Sequence, residues 1–563
     1  MKTNSPFDSP RTLWIIAISF LLIWFYMLGA RTLVPTDEGR YAEMAREMVS
    51  TGDWITLRLN GIKYFEKPPL QAWMNSLTFE LFGLGDWQAR LWTGLCGLLG
   101  IALVAHTGCQ VFSRRVGINA ALVLGSSLMW AAASHYNSLD LGVAAMMAMA
   151  LCGLLLGQRD GANSIEQRNG MLMCWIGMAL AVMTKGLIGI VLPGGVLFIY
   201  TFVSRDWSIW KRLHIVKGLL VFFAIVSPWF ILVAMKNPEH PHFFFIHEHL
   251  QRFTSNVHKR YQPPYFFVAV LVLGILPWLG LLLQGLWSGV KVERPGFQPK
   301  KMLLVWTLFI FVFFSVSNSK LIGYILPIFP SLALLIACQL ETSSTRSFRF
   351  AASLFAIVGI GGIVFSLLAP AKIAAMSAPA IETALNLTFV TWLIAASALV
   401  CLGGFAAIVL ATRHKDSALI VMAVSGFIAG QILMLGYEPW GQYRAGLQHV
   451  KAIQAELTPD APLYSVGQYE QCLPFYLGRT LTLVEFPDEL AFGLEQQPEL
   501  WIPKREDFVK KWREDSVNGK ASIAIINGAI YKDFLKQNVP MRVIGQDTKR
   551  VIVSNITTPN AIK

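Results

Sequence analysis

The 563 residues are 54% hydrophobic and only 14% charged, with a positive mean hydropathy; that is too little charge for a soluble globular chain. The net charge of +13 does not mark a nucleic-acid binder, because Lys and Arg lie mostly in short loops between apolar runs, where they orient a membrane protein. The seven cysteines (Cys96, Cys109, Cys152, Cys174, Cys338, Cys401 and Cys472) stand singly, which excludes a disulfide framework or a CxxC metal site.

Apolar runs of about 17 residues or more recur from Thr12 to Leu435, each long enough to cross the hydrocarbon core. Backbone groups in lipid must be satisfied within the segment, so these runs are read as helices. The predicted spans are 13–30, 89–112, 117–136, 141–157, 171–184, 187–203, 213–235, 265–288, 302–317, 321–338, 350–369, 387–411 and 417–436. They read as unbroken runs. The first has no small-residue cleavage site and many spans follow it, so it is expected to be a retained helix and not a removed signal peptide.

The loop 31–90 opens with VPTDEGRYAEMAREMVSTGDW. Thr36 can cap a helix whose first turn carries Asp37 and Glu38, complementing its dipole. Asp37, Arg40 and Tyr41 share one face, continued by Met44 and Met48. The apolar part of that stripe predicts a helix lying in the interface plane; ordinary capping on a solvated face explains Asp37 equally well. Further on, Tyr64 precedes Glu66 and Lys67, which stand before Pro68 and Pro69. Two prolines forbid helix before them and favour one after, so a carboxylate and an ammonium are fixed on a stiff extended segment. That pair is a plain ion pair, or a site for a metal or an anion.

Three short turns between later spans hold Asp140, Lys185, and Lys320 with Tyr324 one helical turn on. Ionisable residues between apolar helices are uncommon without a function, although a lysine near a helix end also snorkels. The second large loop, 236–264, carries His240, His242, His247, His249 and His258, five of the ten histidines. Imidazole and carboxylate together suit a divalent transition metal, zinc above all. Glu66 with His247 is one candidate ligand pair, and scattered histidines in an interfacial loop are the alternative. If HEHLQRF is helical, His249 and Arg252 share a face and His247 points elsewhere.

With the N-terminus in the cytoplasm, alternate loops hold Arg114 and Arg115; Arg159 and Arg168; Arg205, Lys211 and Arg212; Lys291, Arg294, Lys300 and Lys301; Arg346 and Arg349; Arg413 and Lys415. The opposite short loops hold only Lys185, Lys320 and Lys372. This positive-inside pattern places the loops 31–90 and 236–264 outside. An odd number of spans also places the tail outside. In the tail, PLYSVG, TLTLVE, ASIAIIN and KRVIVSN alternate with helix-compatible stretches such as REDFVKKWRED, which predicts a small α/β domain over 438–563. The fold class expected is an α-helical multi-pass membrane protein of about thirteen transmembrane helices, spanning 1–437, with external interfacial helices and that C-terminal domain.

Cations beside carboxylates at a lipid interface suit a substrate carrying phosphate. A carboxylate can orient a nucleophile while cations stabilise the departing phosphate. The absence of a Walker loop, a dinucleotide glycine fingerprint and a GxSxG elbow argues against nucleotide hydrolysis and serine catalysis.

The block PTDEGRYAEMAREMVSTGDW…YFEKPPL resembles the first periplasmic loop of the lipid A aminoarabinose transferases. With the protein O-mannosyltransferases, these belong to the GT-C class of polyprenyl-phosphate-dependent glycosyltransferases. The resemblance continues through LD at Asp140, TKG at Lys185, HEHLQRF and SKLIGYILP into the tail, and so covers essentially the whole chain. It implies a GT-C fold in the bacterial inner membrane, with the active site and tail facing the periplasm. The implied reaction moves 4-amino-4-deoxy-L-arabinose from undecaprenyl phosphate to a lipid A phosphate with inversion, conferring polymyxin resistance; the enzyme is expected to be a monomer. By position, the resemblance implies Asp37 and Asp140 as catalytic acids and Glu66 and His247 as metal ligands. It implies Lys67, Arg252 and Lys185 as holding the carrier phosphate and Tyr324 as lining the donor site; the polar cluster itself adds Arg40, Tyr41, Tyr64 and Lys320 as further substrate-binding candidates. Because the acceptor phosphate is already anionic, Asp37 is expected to orient the nucleophile or to steady the sugar's developing positive charge. Two alternatives stand beside this reading: a related glycosyltransferase acting on a protein or another envelope acceptor, and a lipid transporter or flippase.

Overall fold

The computed structural model describes residues 5–251, 262–291 and 296–556. The chain forms two compact units. One comprises Met1–Arg31, Glu66–Gln71 and Arg90–Tyr437; the other comprises Thr32–Phe65, Ala72–Ala89 and Glu438–Lys563. Most of the loop 31–90 therefore groups with the tail.

The first unit is helical throughout, as the bilayer demands of apolar backbone. Among the described residues, nine helices are long and apolar enough to cross a membrane, and two bent pairs raise the number to eleven. The other two expected spans are helices as well. Ile188–Ser204 is short at 17 residues, and Ser164–Lys185 opens on a polar turn containing Glu166 and Arg168, which dilutes its hydropathy.

Two of the runs read as unbroken are in fact bent. Arg114–Ser126 meets Leu128–Ser134 at 65°, and Phe266–Gly274 meets Leu279–Ser288 at 108°. Hydropathy hides such breaks, because Ser127 and Pro277 sit inside apolar stretches. Backbone groups freed by a break need new partners in lipid, and the two breaks supply them to each other. Leu128 donates its N–H to the Leu276 carbonyl at 3.0 Å. The Trp278 indole donates to the Ser126 hydroxyl at 3.0 Å.

Lipid offers helices little hydrophobic reason to associate, so close backbone approach at small residues carries the packing. The hairpin of Leu139–Gln158 and Ser164–Lys185 shows this: a Cβ on Gly170 would lie 2.6 Å from the Gly157 nitrogen. Leu139–Gln158 is the most enclosed of the nine candidate spans, with 89% of its apolar window buried. Its first turn carries Asp140.

In the second unit, the tail forms a six-stranded sheet. Its strands are β3 (Leu463–Val466), β4 (Thr482–Val484), β5 (Trp501–Ile502), β6 (Ile523–Asn527), β7 (Arg542–Gln546) and β8 (Arg550–Ser554), numbered after the hairpin β1 (Arg58–Leu59) and β2 (Ile62–Lys63) of the first loop. The order is β5-β4-β3-β6-β8-β7, parallel through β6 and antiparallel at β8 and β7. All four segments read as β-rich form strands, and REDFVKKWRED lies in the helix Arg505–Val517. Strand alternation splits the apolar residues between two faces. Tyr464, Val466, Ala524 and Ile526 pack with Phe508, Trp512 and Phe534 on one face. Leu463, Ile523, Ile525 and Ile552 pack with Ile453 and Leu473 on the other.

Candidate active site

In the second unit, Asp37–Thr51 is the predicted helix. Its start differs from expectation, since Thr36 makes no side-chain cap. The Glu38 carboxylate instead accepts the Val34 N–H at 3.0 Å. The helix is buried from Glu38 to Met48, so the apolar stripe of Tyr41, Met44 and Met48 is covered by protein. Gly39 permits this: a Cβ there would lie 2.4 Å from the Gln471 carbonyl oxygen.

Asp37 keeps 31% of its side chain exposed and pairs with Arg40 at 3.5 Å. Arg40 also binds Glu489 at 2.7 Å, and Glu489 accepts from the Gln471 amide at 2.8 Å. Burial acts to lower the Arg40 pKa, but Tyr64, Glu489, Tyr41 and Asp37 outweigh it and hold the value well above the usual one. Arg40 is therefore a permanent cation. The structure thus gathers the expected Asp37, Arg40, Tyr41 and Tyr64, together with Glu489, which the sequence reading missed. Nothing in FPDELAFG distinguishes that glutamate from an ordinary helix-start acid.

The first unit holds the other expected residues. Asp140 sits in the first turn of Leu139–Gln158, where the dipole favours a carboxylate, and Lys185 ends Ser164–Lys185, where it favours a cation. The two pair directly. The Lys185 ammonium also lies 4.6 Å from the centre of the Tyr324 ring, within cation–π range. Gly323 admits the carboxylate, since a Cβ there would fall 2.0 Å from Asp140 Oδ2. Lys320 is buried and donates to the carbonyls of Ser317 at 2.6 Å and Gln262 at 3.0 Å. Lys67 contacts the Glu66 carboxylate at 3.4 Å and donates to the Glu66 carbonyl at 3.1 Å.

His247 is exposed on a helical segment and its ring stacks on Phe243 at 4.9 Å. Arg252 lies outside the described residues. Among the described residues, no three His, Cys, Asp or Glu side chains converge as a metal would require.

Each unit thus presents a carboxylate fixed beside a cation on the first turn of a helix. Such pairs bind anionic oxygens through the cation while the carboxylate orients a reacting group.

Residues 66–232 match the family of dolichyl-phosphate-mannose-protein mannosyltransferases, and residues 449–555 match the aminoarabinose transferase C-terminal domain. The undecaprenyl phosphate-alpha-4-amino-4-deoxy-L-arabinose arabinosyl transferase of Aeromonas hydrophila is 31% identical over 62% of this chain; the aligned stretch spans 64% of that protein. The crystal structure of ArnT from Cupriavidus metallidurans bound to undecaprenyl phosphate is 39% identical, covering 97% of this chain and 98% of that one, with a TM-score of 0.91. The same protein in the apo state gives 38% identity and a TM-score of 0.90, over 98% and 99% of the two chains.

Proposed function

The chain belongs to the ArnT family of multi-pass membrane proteins, and we propose that it is an inverting glycosyltransferase that transfers 4-amino-4-deoxy-L-arabinose from undecaprenyl phosphate to a phosphate of lipid A. One observation carries the reading: near-complete coverage at 39% identity by an ArnT crystallised with undecaprenyl phosphate. The reading places the protein in the bacterial inner membrane as a monomer, with the loops 31–90 and 236–264 and the tail in the periplasm. The positive-inside distribution of Lys and Arg supports that orientation.

The acceptor phosphate is a nucleophile at neutral pH without deprotonation. What the reaction needs is orientation of that phosphate, support for the sugar's developing positive charge, and neutralisation of the leaving carrier phosphate. Asp37 supplies the negative charge, with Arg40 holding its orientation and Tyr41 and Tyr64 enclosing Arg40. Lys67, Lys185, Lys320 and Arg252 supply the cations. Asp140 is the positioning partner of Lys185, and Tyr324 fixes the lysine by its ring.

The test is a lipid A mass spectrum from a Gram-negative host that makes the donor but lacks its own transferase. Expression of this chain is expected to add the aminoarabinose mass, and Asp37→Asn to remove it. Unchanged lipid A, with the protein in the membrane, would overturn the acceptor assignment in favour of another envelope acceptor.

A further inference from the structure

Outside the residues assigned above, the second unit contains a cavity of about 430 Å³ lined by Arg46, Arg58 and Arg479, with Glu47, Ser50 and Thr480 among its other walls. That volume falls in the range of about 300–1,000 Å³ typical of small-molecule sites. We propose that this cavity binds a phosphate monoester through Arg58 and Arg479.

The charges decide the sign of the ligand. Arg46 is matched by Glu43, which it grips at 2.6 and 2.7 Å. Arg479 spends its donors on the carbonyls of Thr458, Pro459 and Ala461, at 3.1, 3.3 and 3.0 Å. None of those groups carries a formal charge, so the cation stays uncompensated. Arg58 lies 3.9 Å from Asp53, at the limit of an ion pair, and remains 26% exposed. Glu47 adds little negative charge at neutral pH, because burial and the neighbouring Glu43 push its carboxyl up to about 8. The C-terminal end of the helix Asp37–Thr51 opposes an anion with about half a charge, less than Arg479 alone contributes. The guanidinium groups of Arg58 and Arg479 offer positive charge to phosphate oxygens, and Ser50 and Thr480 also line the cavity, the Ser50 hydroxyl being engaged with the Glu47 carbonyl at 3.1 Å.

The arginines are also held in place before any ligand arrives. The Arg46 guanidinium donates to the Gly478 carbonyl at 3.2 Å. The Asn60 side chain clasps Leu481, donating to its carbonyl at 2.6 Å and accepting its N–H at 2.7 Å. Asn60 and Gly61 take positive φ to make the turn between β1 and β2, and Arg58 donates to the Gly61 carbonyl at 3.2 Å. The segment carrying Arg479 and the hairpin carrying Arg58 are therefore pinned across the cavity. A preorganised pair loses less freedom on binding than two surface side chains would.

The cavity stands on this unit's own residues and not on the transfer reaction, so its failure would leave the proposed reaction untouched. The test measures binding of inorganic phosphate, and separately of mixed micelles of phosphatidic acid in phosphatidylcholine, to the full-length protein in detergent at constant ionic strength. Arg58→Gln and Arg479→Gln are each expected to weaken binding about tenfold (~1.4 kcal/mol). Lys536→Gln, removing the charge of an exposed lysine elsewhere on the unit, is expected to change it little. Arginine-dependent binding of inorganic phosphate supports the proposal with the phosphate group as the feature read. Arginine-dependent binding of the phosphatidic acid micelles alone supports it with a lipid as the source. Binding of neither probe, or equal loss in the lysine control, overturns it.

Discussion

Asp37 and Asp140 both occupy the first turn of a helix beside a cation, yet they are held in opposite ways. Asp37 is nearly one-third exposed and touches Arg40 at 3.5 Å, while that arginine's stronger contact is with Glu489 at 2.7 Å. Asp140 is bound directly by Lys185 and walled by Gly323. The first keeps nearly one-third of its side chain exposed beside a cation whose charge is shared; the second is paired directly with its cation. Under the proposed reaction, this difference suits Asp37 to chemistry and Asp140 to positioning.

Turnover in proteoliposomes with labelled donor offers the largest test. Asp37→Asn is expected to lower kcat about 100-fold or more, with KM for the donor little changed. Near-normal turnover would erase the distinction between the two acids. Asp140→Asn is expected to act through folding, because it removes the carboxylate that pairs directly with the half-buried Lys185. The effect is read as a lower melting temperature in detergent. Pairing it with Lys185→Met should restore much of the lost stability, whereas additive losses would show that the pair is not a unit.

A smaller effect is expected from Gly323→Ala, whose methyl would displace the Asp140 carboxylate. About tenfold lower turnover without loss of folded protein would sharpen the positioning role, and unchanged turnover would refute it. Least in size is a pH effect within the second unit, on the helix that bears Asp37. Glu47 accepts N–H bonds from Asn60 and Gly61, yet burial, reinforced by Glu43 against the opposing Arg46, pushes its carboxyl up to about 8. Between the ordinary carboxyl value and about 8, the folded protein holds a proton that the unfolded chain has released. Stability should therefore fall as pH rises through that window. Tyr469, which also senses Glu47, is held protonated well above its usual value and does not titrate there. Glu47→Gln should flatten the fall in melting temperature between pH 5 and 8; an unchanged slope would assign it to other groups.

By itself the sequence determined what hydropathy and local spacing encode. Apolar runs in lipid have no choice but helix, so every expected span is helical. Alternating apolar residues bounded by turns specified four of the tail's strands, and the spacing of Asp37, Arg40 and Tyr41 placed them on one helix. Only the tertiary structure decided what those elements meet. Bends at Ser127 and Pro277 were invisible because the Leu128 N–H and the Trp278 indole find their partners in a segment about 150 residues away in sequence. The two-residue strand β5 is too short to show a pattern, and β7 carries a register shift at Val543/Gly545 that breaks strict alternation. Glu489 joined Arg40, and Arg479 joined Arg58, through burial and hydrogen bonds between distant segments. Such pairings depend on the closed chain and leave no period in the sequence from which they could be read.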